Sequence, residues 1–220
     1  MKKTNTIRVL AILSGLLGLI AATDQALLFA HSPHGKSGKK TSALAYHDTW
    51  RKLWEDQITW TRMVILGVFD NLPGAGTYQA RLIENYEDME DALRPYYGED
   101  AEELGDLIQD HLVIAVEILN AAKSADAAGL EDAKVRWYRN GADIANLMAV
   151  RNPKYWKLGE AEKMWRDHLN ATLEEAAAHL ANDFAGDVAA YDKVHLLAVG
   201  MADFFSQGVL RQFKREFSAP

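Results

Sequence analysis

The sequence predicts an all-α protein: a compact six-helix bundle built from three tandem helical-hairpin repeats, following an N-terminal signal segment. Three observations carry this reading. From residue 43 onward, apolar residues recur at three- and four-residue spacing, with no alternating strand pattern. Five clusters of helix-breaking residues divide that stretch into six helical segments. One motif also returns on the odd-numbered segments, 54 and then 57 residues apart.

Residues 1–30 read as a signal peptide, with an uncleaved anchor as the alternative. Lys2, Lys3 and Arg8 precede Val9–Thr23, an uncharged and mostly apolar run of 15 residues. A bilayer-spanning helix needs about 20, so the run fits a secretory segment better. Small residues suited to cleavage stand at Ala22 and Ala30, and the absence of cysteine excludes a lipoprotein anchor. Residues 31–42, rich in His, Lys, Gly and Ser, read as a flexible linker. Cleavage after Ala30 would give His31 a free amine beside its imidazole, and with His34 nearby these could chelate a Cu(II)-like ion. A plain solvated tether accounts for the same residues.

The remaining residues, 43–220, form the predicted helical domain, with repeats at about 50–98, 99–156 and 157–213. Turns are expected at Asn71–Gly76, Arg94–Gly98, Ser124–Gly129, Arg151–Trp156 and Asn182–Gly186. A unit of two helices cannot bury its own apolar face, so three such units must share a core. With six helices and no polar capping unit, a closed bundle is expected over an open solenoid.

Composition narrows the function classes. Of 220 residues, 49% are hydrophobic and none is cysteine, which argues against a disordered tail, a disulfide scaffold or a thiolate zinc site. The chain carries 31 acidic against 24 basic residues, a net charge of −7. Loss of residues 1–30 would leave 30 against 21, or −9. An acidic chain is poorly suited to neutralising phosphates, so nucleic acid is not an expected partner. The expected location is the periplasm or cell envelope, with membrane contact only through the N-terminal segment if that stays attached.

The repeated motif supplies the candidate site. Its copies are Leu53-Trp-Glu-Asp-Gln57-Ile58, Leu107-Ile-Gln-Asp-His111-Leu112 and Met164-Trp-Arg-Asp-His168-Leu169, followed by Thr61, Ala115 and Thr172. His111 shares its helix face with Leu107, Ile108, Ala115 and Ile118, so its ring should point inward, and Gln57 and His168 follow the same geometry. The even helices echo one another through Arg81, Asn85 and Asp88, then Arg136, Asn140 and Asp143, with a weaker copy at Gly200 and Asp203. If those faces also turn inward, His111 and His168 meet the carboxylates of Asp88, Asp143 and Asp203. That is a ligand set for a divalent transition metal, with the acids as ligands or as partners that orient the imidazoles.

The same residues can serve packing alone, as a buried hydrogen-bond network that sets helix register. Along the fifth helix His168, Thr172, Glu175, His179 and Asp183 follow at three- or four-residue steps. A solvated acidic face explains His179 and Asp183 equally well. Asp192 and His195 add a further pair on the sixth helix. The tryptophans fall at packing positions; a haem sandwiched between them, with His111 or His168 axial, would be noncovalent because Cys-x-x-Cys-His is absent. No phosphate-binding glycine loop, Gly-x-Ser-x-Gly elbow or His-Glu-x-x-His occurs.

At Trp60-Thr61-Arg62, Leu93-Arg-Pro-Tyr-Tyr-Gly98, His111-Leu112 and Asn152-Pro153, the chain resembles an uncharacterised group of small helical bacterial and archaeal proteins with the same three-part layout. The resemblance covers roughly residues 50–213. It implies the helical fold and supplies no activity. In that group the position of Gln57 is often His, and an amide oxygen is a poorer ligand for borderline metals. The expectation is a noncatalytic metal- or small-ligand-binding protein of the cell envelope. A structural or interaction module is the alternative, and a His/carboxylate metal enzyme comes third.

Overall fold

The computed structural model describes residues 40–218. The signal segment 1–30, the linker as far as residue 39 and the His31/His34 chelate lie outside the described residues. Six helices follow: α1 (Ala43–Phe69), α2 (Ala75–Tyr97), α3 (Asp100–Lys123), α4 (Ala127–Arg151), α5 (Leu158–Leu180) and α6 (Phe184–Gln212). Each packs on the next, and α6 returns to lie along α1, which closes the ring. α1 also touches α3 and α5, so odd-numbered helices approach one another inside. Among the described residues no helix is long and apolar enough to cross a membrane.

Four turns fall where the breakers predict, whereas α2 runs on through Arg94–Tyr97 with Pro95 inside it and the chain reverses at Gly98 and Glu99; the turn chemistry within the hairpins repeats. Within each hairpin one residue takes the left-handed conformation: Asn71 (φ 56°), Ala125 (φ 55°) and Asn182 (φ 58°). Asparagine tolerates that region better than alanine does. Asp126 and Asp183 then cap the following helices, each accepting at 3.0 Å from the backbone N–H of Gly129 or Gly186. Ser42 caps α1 in the same way through Ala45. Thr41 and Ser42, assigned to the linker by composition, are tied into the domain: Ser218 N–H donates to Thr41 O at 3.0 Å, and Ser42 bridges Ser218.

Aromatic residues lock the inter-repeat joints. Tyr46, Tyr96 and Phe217 pack with ring centres 5.0–5.1 Å apart, joining α1 and α2 to the C-terminal segment. Trp156 plugs the α4–α5 turn, its indole N–H donating to Phe204 O at 3.0 Å. The indole lies so close to α6 that a Cβ at Gly208 would overlap it. Asn152 Nδ2 donates to Gly208 O at 3.0 Å from the same turn, so two side chains read one stretch of α6 backbone.

Candidate functional site

The repeated inward positions do face the interior. Gln57 on α1, His111 on α3 and His168 on α5 are all buried, with both histidines only 2% exposed. The two imidazoles lie with ring centres 6.5 Å apart and planes 31° apart. Tryptophans surround them: His111 stacks on Trp137 at 4.9 Å and meets the edge of Trp165 at 5.1 Å, while His168 meets Trp54 at 5.6 Å. One turn further along each helix stand Thr61, Ala115 and Thr172. All three line a single cavity of about 20 Å³ together with Trp137 and Ile65. The small residue of each copy thus leaves a shared space beside the inward polar position.

Hydrogen bonding fixes one ring and leaves the other unanchored. Asn140 Nδ2 donates to Leu107 O at 2.9 Å, which turns its Oδ1 toward His111 Nδ1, also at 2.9 Å. His111 Nδ1 is therefore the protonated nitrogen, and Nε2 holds a lone pair with no partner among the described residues. In the first repeat Asn85 Nδ2 makes the equivalent bond to Leu53 O at 3.3 Å, but among the described residues Asn85 Oδ1 has no partner, Gln57 standing in the place of the imidazole. Gln57 Oε1, His168 Nδ1 and the indole nitrogens of Trp54 and Trp165 also lack partners among the described residues. Buried polar atoms are nearly always paired, so a cluster of this size stands out.

Both rings are neutral at physiological pH. Burial, followed by repulsion from a charged His168, lowers the His111 pKa to about 3, although the bond to Asn140 pulls the other way. Burial alone brings His168 to about 4. A neutral imidazole with a free lone pair is the form that ligates a metal.

The carboxylates are not brought to these rings. Asp88 pairs with Arg81 at 3.3 Å, Asp143 is exposed beside Arg139 at 3.9 Å, and Asp203 binds His47 at 2.8 Å and Arg51 at 3.1 Å. The reason is helical phase. Three residues beyond inward Asn85 and Asn140 is 300° of rotation, and charged groups on that flank reach solvent where ion pairs need no desolvation. In α6 the inward places belong to Ala198, Met201 and Ala202, whereas Gly200 is exposed. The weak third copy is therefore out of register, and α6 supplies no amide for His168. Among the described residues no group of three or more His, Asp or Glu side chains forms a metal-binding set.

The solvated-face reading fails for His179. It is buried, with Nδ1 at 3.1 Å from Asp187 and Nε2 at 3.2 Å from Asp70, while Asp183 is the α6 cap. His179 belongs to an ion network that sequence reasoning missed. Arg62 donates to Glu175 at 2.7 Å and to both oxygens of Asp187 at 2.7 and 3.0 Å, and lies over the Tyr191 ring. Burial pushes Glu175 up to about 7 against the pull of Arg62. Burial acts on Asp187 too, but bonds from Arg62 and His179 outweigh it and hold that carboxyl below its ordinary value. The clue in the sequence was Glu175 and His179 at four-residue spacing on the His168 face. His195 stays half-exposed near Glu55, 3.7 Å away.

The chain was compared with protein-family models, with curated proteins and with solved structures, and none gives a significant match.

Proposed function

We propose that the protein is a noncatalytic metal-binding protein of the cell envelope, holding a transition-metal ion between His111 and His168 with Gln57 Oε1 as a third donor. The observation that carries this is the pair of buried neutral imidazoles, 6.5 Å apart, among polar atoms without partners. With metal–nitrogen bonds near 2.0–2.1 Å, two rings on one ion stand about 5 Å apart at a tetrahedral angle and about 6.5 Å apart when linear; at 6.5 Å the imidazoles sit at the linear limit, and taking a third donor on the ion draws them together by about 1 Å. Zinc, copper and nickel suit imidazole donors. The donor set is uncharged, which favours an ion of low charge, because a buried dication without a counter-charge carries the larger desolvation cost. Asp88, Asp143 and Asp203 have no part in this site. Export rests on the basic, then apolar, character of residues 1–23.

The bonds from His111 to Asn140 and on to Leu107 support a second reading, in which the cluster only fixes the register of α3 against α4. Elemental analysis of the protein from its native compartment, followed by titration with Zn²⁺, Cu²⁺ and Cu⁺, separates the two. Near-stoichiometric metal is expected, lost in His111→Asn and His168→Gln with helicity retained, and bound more tightly in Gln57→His. A metal-free protein that none of the three ions stabilises would leave only the structural network.

A further inference from the structure

A second feature, independent of the imidazole pair, lies where α1, α3 and α5 end. Phe69, the Ile118–Ala122 turns of α3, Leu130 and the Leu173–Leu180 turns of α5 line a half-open cleft of about 310 Å³. That volume falls at the lower end of the roughly 300–1,000 Å³ range of small-molecule sites. The alanines at 122, 176 and 177 account for the gap, since none reaches across it. Every lining residue is apolar except Lys134. Among the described residues its ammonium is otherwise paired only with the exposed Glu131, 3.3 Å away, a surface contact that a ligand can displace. The inner wall, formed by Ile118, Leu119, Leu173 and Ala176, is shared with the 20 Å³ cavity beside the imidazoles. Leu180, one of the lining residues, is 42% exposed.

We propose that this cleft binds a small anionic amphiphile, namely a carboxylate on an aliphatic chain of roughly eight to ten carbons. The chain fills the apolar space and the carboxylate meets Lys134. Burying the methylenes supplies the attraction, and a single cation in an otherwise apolar lining sets the ligand's orientation and sign.

The test is calorimetric titration of the full chain with decanoate, kept below its micelle concentration, and in parallel with decanol. Saturable one-to-one binding of decanoate is expected. Lys134→Gln should weaken decanoate about tenfold and leave decanol unchanged, and Ala177→Phe, at an exposed lining position, should abolish both. Absence of decanoate binding would overturn the proposal, as would equal effects of Lys134→Gln on the two ligands. Co-sedimentation with phosphatidylglycerol vesicles in the absence of monomer binding would also overturn it, assigning this end of the bundle to a lipid surface.

Discussion

Replacing His168 with glutamine should remove one histidine's share of the acid sensitivity of folding. The ring is fully buried and titrates near pH 4 in the folded protein, against about 6.5 for a free histidine. The folded value is the lower one, so stability is complete above about pH 6.5. It falls as pH drops toward 4, because the unfolded chain takes up a proton that the folded chain refuses. Between pH 8 and pH 5 the loss comes to about 2 kcal/mol for His168, and His111, at about 3, adds a similar amount. Glutamine already occupies the equivalent place at Gln57, so the fold should accept it. Urea denaturation at several pH values, with chelator present, gives the stability difference between wild type and His168→Gln. That difference should shrink by about 2 kcal/mol from pH 8 to pH 5. Glu175 titrates in both proteins and cancels. An unchanged difference across that range would show that His168 is hydrated or protonated in the folded state, and would refute the reasoning.

Arg62→Met should cost about 3–5 kcal/mol, because it leaves Glu175 and Asp187 buried without their counter-charge. The loss should be larger at pH 8 than at pH 5, since Glu175 titrates near 7 and is neutral in acid; urea unfolding at the two pH values measures this. Gly208→Ala should cost about 1–3 kcal/mol by forcing Trp156 off α6, visible as a lower Tm and a shifted tryptophan emission.

Element positions were legible because the information is local. Asn71, Gly98, Ala125 and Asn182 mark chain reversals, and Asp126 and Asp183 cap the next helices through neighbours three residues away. The inward direction of Gln57, His111 and His168 was equally plain, since apolar residues at three- and four-residue offsets define one face. The even-numbered helices were harder to read. Asn85 and Asn140 face inward, yet Asp88 and Asp143, on the flank of the same helices, find arginines at the surface. Periodicity gives a helix's buried stripe but not how wide that stripe is, and a charged residue at its margin goes to solvent.

By itself the sequence determined six helices, their turns, their threefold repetition and the polar residue that each odd helix sends inward. These follow from backbone preferences and helical periodicity. Tertiary structure alone decided that α6 closes against α1, that two imidazoles come within 6.5 Å, and that Asp203 serves His47 and Arg51 instead. It also decided that Arg62, Glu175, Asp187 and His179 form one buried network across three helices. Such partners are up to 156 residues apart in the chain, and whether two charges meet or each faces water depends on how the helices are rotated and spaced when they pack.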